Sequence, residues 1–349
     1  MDRVCVAMSG GVDSSVAAAL LKQQGFDVCG VTMKLVDSAP KDGGSPRSCC
    51  GYDAGRDAKL VADAIGIPHY TINAVDVFRE AVMADFAAEY RRGRTPNPCV
   101  RCNQFVKFDF LMKKADELGC RYLATGHYAV IREGKLYRGK DQAKDQSYFL
   151  YPVYGAEIDR ILFPVGEKTK DEVRSIAAGL GLITAQKPES QDICFVEDGN
   201  YAGFLDKELP PEGGPIIDKT GKVLGRHNGI HRYTIGQRKG LGALGTKMFV
   251  KEIRVAENTV VAGTEDELLA TAIVATGAII APGYRFDDAE YGVQVRYRTA
   301  PVPAAVSLSD SKTLHITLRE PVRAIAPGQS AVVYKGDMVV AGGIIERAG

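Results

Sequence analysis

The chain has 349 residues, of which 45% are hydrophobic and 25% charged, and its formal net charge is +1. This composition is typical of a folded protein of two or three domains and excludes a largely disordered chain. The near-neutral charge excludes a uniformly basic coat for nucleic acid but leaves room for a local basic face. No apolar run approaches the roughly 20 residues of a membrane span, and Met1 leads into a strand-like stretch instead of a cationic leader. We therefore expect a cytoplasmic protein with no membrane partner.

The first half of the chain alternates strand and helix signals. The strand-like runs are "RVCVAMSGG", "FDVCGVTMKL", "HYTINAV" and "RYLATGH". The helix-like runs are "SSVAAALLKQQG", "GRDAKLVADAIG" and "FVKFDFLMKKADELG". This alternation predicts an α/β fold with a doubly wound parallel sheet, helices on both faces, and ligand sites beyond the carboxyl ends of the strands.

The pattern changes after about residue 200. The proline- and glycine-rich stretch "ELPPEGGPIID" is followed by short β runs joined by turn residues. We predict three domains: an α/β domain over residues 1–200, a small central domain over 201–265 and a C-terminal β-barrel-like domain over 266–349.

The stretch "MSGGVDSS", residues 8–15, lies between the first strand and its helix. Gly10 and Gly11 let the main chain approach an anion closely, and the first N–H groups of the helix, with the hydroxyls of Ser14 and Ser15, offer donors to phosphate. No Gly-Lys-Ser/Thr follows, so this is not the loop whose lysine reaches a transferring γ-phosphate. A tight glycine turn without a ligand is the structural alternative.

The order S-G-G-x-D-S resembles the PP-loop of the ATP pyrophosphatases. The resemblance implies a HUP-like fold, binding of ATP by its β,γ-pyrophosphate and adenylation of a substrate with release of pyrophosphate. It implies that Asp13 helps to place Mg²⁺ and that the main chain near Met33 contacts adenine. The residues implied to contact ATP are Ala7, Met8, Ser9, Gly10, Gly11, Val12, Asp13, Ser14, Met33 and Gly126.

The stretch "TPNPCVRCN", residues 95–103, holds a Cys-x-x-Cys pair in a proline-containing segment that we predict to be a loop. Such a pair can bind zinc, exchange disulfides, ligate an iron–sulfur cluster or carry sulfur to a substrate. In a reducing compartment, the eight cysteines are expected to be buried, metal-bound or catalytic instead of permanently bridged. Cys5, Cys29 and Cys120 adjoin or lie in apolar runs and are predicted to be small buried residues.

Eight motifs are similar in order and approximate spacing to those of the tRNA 2-thiouridine synthetases of the MnmA/TrmU family. They are "GRTPNPCVRCN", "ATGHY", "KDQSYFL", "LFPVGE", "SQDICF", "GQRKGLG", "RYR" and "PGQSAV". The resemblance implies conversion of uridine 34 at the tRNA wobble position to 2-thiouridine, with ATP converted to AMP and pyrophosphate. It implies that tRNA, through its anticodon region, and an upstream persulfide relay protein are the partners. It also implies that residues 1–200 form a PP-loop catalytic domain and that the central domain, residues 201–265, binds tRNA.

By this resemblance Cys194 receives the transferred sulfur as a persulfide, and Cys102 is the second catalytic cysteine. The Cys102 thiolate could attack the persulfide and release hydrosulfide, or the persulfide could attack the activated base directly. The sequence leaves both routes open.

One position departs from the family. Many members have Asp where this chain has Cys99, so the role of that carboxylate is in doubt here. Cys99, Cys102 and Cys194 together could instead hold a [4Fe–4S] cluster with one open iron site, although a cluster usually has four ligands. Zinc lacks a convincing fourth ligand nearby.

The resemblance also implies contacts with the RNA. Asn97, Pro98 and Cys99 would border a flipped base, which is the natural geometry for chemistry at its C2 atom. The other residues implied to contact tRNA are His127, Lys144, Asp145, Gln146, Arg296, Tyr297 and Gln329.

Three alternatives remain open from the sequence. A PP-loop ligase or amidotransferase acting on a small molecule leaves the Cys102 and Cys194 motifs unexplained. A non-catalytic RNA-binding module leaves the PP-loop unexplained. Thiolation of a different tRNA base is the nearest competitor among sulfur-transfer reactions.

Overall fold

In a computed structural model of the protein, the described residues are 1–36, 52–188, 193–196, 200–242 and 246–349. The chain forms two compact units. The first unit comprises Met1–Val82, Cys99–Gly199 and Asp337–Val339, and the second comprises Met83–Pro98, Asn200–Gly336 and Val340–Gly349. The adjacent Cys49 and Cys50 lie outside the described residues.

The first unit is built on a five-stranded parallel sheet. Its strands and those of a neighbouring hairpin are β1 (Arg3–Ala7), β2 (Asp27–Lys34), β3 (His69–Asn73), β4 (Tyr122–Ala124), β5 (Ala129–Arg132), β6 (Lys135–Arg138) and β7 (Ile161–Leu162). The sheet order is β3-β2-β1-β4-β7, and every pairing in it is parallel. The strand order reverses between β1 and β4, so the predicted doubly wound sheet is confirmed and its switch point lies between these two strands.

The helices follow the predicted alternation. They are α1 (Val12–Gln23), α2 (Tyr52–Ile65), α3 (Val75–Phe78), α4 (Ala84–Arg91), α5 (Pro98–Arg101), α6 (Leu111–Glu117), α7 (Lys170–Gly179) and α8 (Tyr201–Glu208), with π-helical segments at Arg79–Met83 and Cys102–Phe110. Short 3₁₀ turns span Ser147–Phe149, Tyr151–Gly155, Ile158–Arg160, Ile230–Arg232 and Asp266–Leu268.

Helix α1 shows why the sequence folds as it does. Its alanine-rich face is buried against the sheet, where small side chains allow helix and strands to pack closely. It ends just before Gly25, which takes a left-handed conformation with φ +88°.

The Cys-x-x-Cys pair does not lie in a loop as predicted. Pro98 is the first residue of α5, a position where its missing N–H and fixed φ are favourable, so Cys99 lies in the first helical turn. Cys102 begins the π-helical segment that continues into α6. The element before α5 is helix α4 and not a strand, so the pair does not occupy the strand-to-helix position of a thioredoxin-like unit.

The second unit contains two β structures. The smaller is a four-stranded sheet of β8 (Gly213–Ile217), β9 (Val223–Asn228), β10 (Phe249–Arg254) and β11 (Thr259–Gly263), in the order β10-β11-β8-β9. The larger is formed by β12 (Leu269–Ile280), β13 (Tyr291–Gln294), β14 (Val302–Asp310), β15 (Thr313–Arg323), β16 (Ser330–Lys335) and β17 (Met338–Ala348). Pairing of β12 with both β15 and β17 closes these six strands into a barrel, as predicted for the C-terminal region.

Among the helices of the described ranges, none has both the length and the apolar character that crossing a bilayer requires.

Candidate active site

The nucleotide loop, residues 7–14, joins β1 to α1 at the carboxyl end of the sheet. Gly10 has φ +65°, and a Cβ atom at this position would lie 2.3 Å from the carbonyl oxygen of Ala54 in α2. Two features therefore require glycine at this position: the left-handed main-chain conformation and the close approach of α2. Met8, at the start of the loop, is buried and donates its N–H to Val31 of β2.

The start of α1 is suited to bind an anion through its main chain. Its N-cap is Gly11, which has no side chain to accept a hydrogen bond from the first turn. The hydroxyl of Ser15 is fully buried and donates to the Gly11 carbonyl at 2.8 Å, so the prediction that it donates to phosphate is not supported. Ser14 also donates to this carbonyl, at 3.2 Å, and accepts from the N–H of Ser9.

Gly126, which follows β4, lies against the first turn of α1. A Cβ atom at Gly126 would lie 2.5 Å from the main-chain nitrogen of Ser14. The structure thus brings together the residues predicted to bind ATP from β1, α1 and the segment after β4, at the switch point of the sheet. Met33 lies near the end of β2, opposite Ile72 of β3.

Asp13 lies in the first turn of α1 and is held by two side chains from distant parts of the chain. Its carboxylate oxygens accept hydrogen bonds from the Lys170 ammonium at 2.8 and 2.9 Å. The Tyr128 hydroxyl donates to the same carboxylate at 2.7 Å. Oxygen ligands of this kind suit Mg²⁺, but this carboxylate is already ion-paired, so its role in placing Mg²⁺ stays a prediction.

Lys187 contacts the nucleotide loop from the segment that leads to Cys194. Its ammonium donates to the Gly10 carbonyl at 2.9 Å and pairs with the carboxylate of Asp57. Cys194 lies seven positions after Lys187, and a chain extended over seven positions spans at most about 24 Å. The loop contact therefore limits how far Cys194 can lie from Gly10.

The segments that hold Cys102 and Cys194 both contact helix α3. The ring of Phe195, next to Cys194, packs edge-on against Phe78 of α3, with the ring centroids 5.6 Å apart. Helix α3 in turn packs against the π-helical segment that Cys102 begins. Both thiols are partly buried, whereas Cys99 is exposed. A π-helical segment at this position is of the kind often found at functional sites.

The three thiols do not form a metal site. Within the described ranges, which include Cys99, Cys102 and Cys194, no group of three or more His, Cys, Asp and Glu side chains is arranged to hold a metal ion. A [4Fe–4S] cluster needs its thiolates gathered around one centre, so the cluster prediction is not supported by this donor arrangement. Cys5, Cys29 and Cys120 are buried as predicted, and the sulfur atoms of Cys29 and Cys120 are 3.5 Å apart.

His127 is buried, and both of its ring nitrogens have partners. Lys107 donates to Nε2 at 3.2 Å, which leaves Nδ1 as the protonated nitrogen that donates to the Thr125 hydroxyl. Burial, reinforced by the charge of Lys107, lowers the pKa of His127 well below its ordinary value of 6.5. The histidine is therefore neutral at pH 7 and cannot act as a cation toward phosphate; its contact with tRNA stays a prediction.

The Lys144–Gln146 segment also has internal partners. The carboxylate of Asp145 accepts hydrogen bonds from Gly139 and Ser147, and burial raises its pKa. The side-chain oxygen of Gln146 accepts from the N–H of Tyr128 at 2.9 Å. These bonds fix the chain around Tyr128, and contact of this segment with RNA remains to be tested.

The remaining predicted RNA contacts belong to the second unit. Gln329 donates its side-chain amide to the carbonyls of Thr95 and Pro96, at 2.9 and 3.0 Å, and so holds the chain just before Asn97 and Pro98. The Arg296 guanidinium donates to the carbonyl of Ala324. The Tyr297 carbonyl accepts from Gln294 at 2.6 Å. A cavity of about 380 Å³ lies here, lined by Thr95, Thr234, Gly236, Gln237, Arg296 and Gln329 among others.

Four residues near the predicted site were not identified from the sequence: Lys107, Tyr128, Lys170 and Lys187. Tyr128 lies inside the "ATGHY" motif, and that motif could have identified it. No sequence motif marks the three lysines, because each forms its hydrogen bond with a residue at least 20 positions away along the chain. Asp13, for example, is 157 positions from Lys170.

Comparison with known proteins identifies the family. Three family models match in chain order: the tRNA methyl transferase HUP domain over residues 2–198, the tRNA methyl transferase PRC-barrel domain over 202–264 and the Aminomethyltransferase beta-barrel domain over 281–345. The chain is 46% identical to the tRNA-specific 2-thiouridylase MnmA of Geobacter metallireducens, over 99% of this chain and 97% of the relative. The chain belongs to the MnmA family of tRNA-specific 2-thiouridylases.

Other members of the MnmA family match over a similar extent. The protein from Carboxydothermus hydrogenoformans is 46% identical over 99% of this chain and 98% of its own length. The protein from Clostridium acetobutylicum is 43% identical over 99% of both chains. The MnmA resemblance inferred from eight motifs is therefore confirmed along nearly the whole chain.

Proposed function

We propose that the protein converts uridine 34 of tRNA to 2-thiouridine in an ATP-dependent reaction. The observation that carries the proposal is the packing of Phe195 on Phe78, because it ties the Cys194 segment to the helix on which the Cys102 segment packs. This packing lies in the same unit as the nucleotide loop. Membership of the MnmA family supplies the substrate class, tRNA, and the product, 2-thiouridine.

ATP makes the uracil oxygen a leaving group. O2 of the base attacks the α-phosphorus, the bond from that phosphorus to the bridging oxygen breaks, and its electron pair leaves with pyrophosphate. The main-chain N–H groups at the start of α1 bind the phosphate chain. Mg²⁺ bound to ATP would neutralise part of its charge. Because Asp13 is already paired with Lys170, we assign Mg²⁺ to the phosphates and derive no step through Asp13.

Sulfur arrives as a persulfide on Cys194 from an upstream relay protein. In one route the Cys102 thiolate attacks the inner sulfur of the persulfide, and hydrosulfide leaves and attacks C2 of the adenylated uracil. In the other route the terminal sulfur attacks C2 first, and Cys102 then cleaves the sulfur–sulfur bond. Both routes expel AMP and end with a Cys102–Cys194 disulfide, which a cellular thiol must reduce by two electrons.

The tRNA contacts retain their sequence-based assignment. We propose that Asn97, Pro98 and Cys99 border the flipped base. Cys99 is exposed in the first turn of α5, at the position where many relatives have a carboxylate. Location in the cytoplasm stays a prediction.

The test is a reconstituted reaction of the full chain with unmodified tRNA, ATP, Mg²⁺ and a persulfide donor, followed by nucleoside analysis. We expect 2-thiouridine from the wild-type protein, none from C102S or C194S, and wild-type yield from C120A, whose cysteine lies before β4 among buried residues. Absence of 2-thiouridine from aerobic and anaerobic preparations alike would reject the proposal. ATP–pyrophosphate exchange that depends on a metabolite and not on tRNA would favour a small-molecule ligase.

A further inference from the structure

Lys170 is a buried lysine beside the nucleotide loop, although its own segment carries no phosphate-binding motif. It is 8% exposed, and its ammonium contacts both carboxylate oxygens of Asp13. The ammonium also lies 5.6 Å from the ring centroid of Tyr128, and the Tyr128 hydroxyl fixes the same carboxylate. Three side chains from separate parts of the chain thus meet at the first turn of α1.

The surroundings of Lys170 favour an anion. Lys170 is the first residue of α7, and Asp13 lies in the first turn of α1, so the ammonium lies near the amino ends of two helices. Helix dipoles disfavour a cation there, and lysine is almost never buried unless it is paired. A bound triphosphate would add several negative charges and would favour both the ammonium and the two helix ends.

We propose that Lys170 contacts the β- and γ-phosphates of ATP and neutralises the charge that grows on pyrophosphate as it leaves. Asp13 holds the Lys170 ammonium at the loop, and the Tyr128 hydroxyl fixes Asp13. In other nucleotide loops the lysine of a Gly-Lys-Ser/Thr motif reaches the β- and γ-phosphates. Lys170 takes this role here, although it lies 157 positions after Asp13 along the chain. The inference rests on the proposed function only in that ATP is the adenylating nucleotide.

Two other lysines of the first unit, Lys187 and Lys107, bind different partners. Lys187 binds the carbonyl of Gly10 and the carboxylate of Asp57, and so braces the loop through a main-chain acceptor. Lys107 binds the ring of His127. Lys170 is distinguished from both because its partner, Asp13, lies in the first turn of α1, the turn to which we assign phosphate binding.

The experiment compares the affinities of the full chain for a non-hydrolysable ATP analogue and for AMP, measured by calorimetry without tRNA. K170M should weaken binding of the ATP analogue about 10- to 100-fold, because one charge-assisted contact is lost, and should leave AMP binding unchanged. K170R should restore part of the loss. In single-turnover adenylation, K170M should be slower by about 10²- to 10³-fold.

The matched control is K140M. Lys140 pairs with Glu172 in the first turn of the same helix, but both side chains are about half exposed. This variant should bind the ATP analogue and AMP like the wild type. If K170M fails to fold, D13N/K170M removes both charges together and is expected to show the same selective loss of binding to the ATP analogue.

Two outcomes would overturn the assignment: unchanged binding of the ATP analogue, or an equal loss of ATP-analogue and AMP binding, which would indicate a purely structural ion pair. Because these measurements use no tRNA and no sulfur donor, they stand even if the reaction product is not 2-thiouridine.

Discussion

Gly126 lies so close to Ser14 that a Cβ atom at position 126 would be 2.5 Å from the Ser14 nitrogen. The main chain of Asp13 is equally close, with its carbonyl carbon 2.6 Å from that Cβ position. These atoms are main-chain atoms of a helix turn and cannot move aside like the end of a flexible side chain. The contact therefore sets the distance between the end of β4 and the start of α1.

The first prediction is that G126A displaces the first turn of α1. Overpacking of this kind costs about 1–3 kcal/mol of unfolding free energy, and ATP affinity should fall because the phosphate-binding N–H groups move. Thermal unfolding and ATP-analogue binding check both effects. The control is G179A: Gly179 lies in α7 with nothing within 4 Å of its Cβ position, so alanine should be neutral or stabilising there. Wild-type ATP affinity in G126A would contradict the prediction.

The second prediction concerns the Phe195–Phe78 contact. F195A removes an aromatic pair worth about 0.5–1.5 kcal/mol, which is enough to slow a reaction that depends on it by up to about tenfold. We expect slower formation of the Cys102–Cys194 disulfide from the persulfide, followed by mass spectrometry, with unchanged alkylation of Cys194. F195A is chosen over F78A because Phe78 is fully buried and its loss would threaten folding.

A matched aromatic pair provides the control for F195A. Phe286 in the second unit packs on Tyr284 with the same centroid distance of 5.6 Å and on Tyr291 at 5.4 Å, so F286A removes aromatic packing of at least this size elsewhere. It should leave the rate of disulfide formation unchanged. Equal rates for F195A and F286A would argue against a role of Phe195 in bringing the two thiols together.

The third prediction separates two roles of Gln329. Its amide donates to the carbonyls of Thr95 and Pro96, so Q329L should lower the unfolding free energy by about 1–3 kcal/mol and loosen the chain before Asn97. Faster trypsin cleavage after Arg94 is the measurement. Q142L is the control, since Gln142 makes an amide–carbonyl bond to Gly139 in the first unit. Weaker tRNA binding with unchanged cleavage would instead indicate that Gln329 acts only as an RNA contact.

The sequence predicts those features that depend on local pattern. The glycines of the nucleotide loop, the alanine-rich helix α1 and the strand–helix alternation each carry their own signal, and the parallel sheet follows from them. Lys170 could not be predicted in this way, because its partner Asp13 is brought to it only by the packing of α7 against α1. The loop predicted around Cys99 is wrong because Pro98, at the first position of α5, favours the helix.

The last prediction follows from the buried neutral His127. Its folded-state pKa is well below 6.5, so as pH falls below about 6.5 the unfolded chain binds a proton that the folded chain does not. The contribution of His127 to the free energy of unfolding is thus fully present above that pH. It is lost as pH falls, and the free energy of unfolding decreases by up to about 1.4 kcal/mol per pH unit. H127Q should flatten this part of the profile, measured by denaturant unfolding between pH 8 and pH 5. H315Q, which changes an exposed histidine of β15, should keep the wild-type slope. A wild-type slope in H127Q would show that protonation of His127 does not oppose folding.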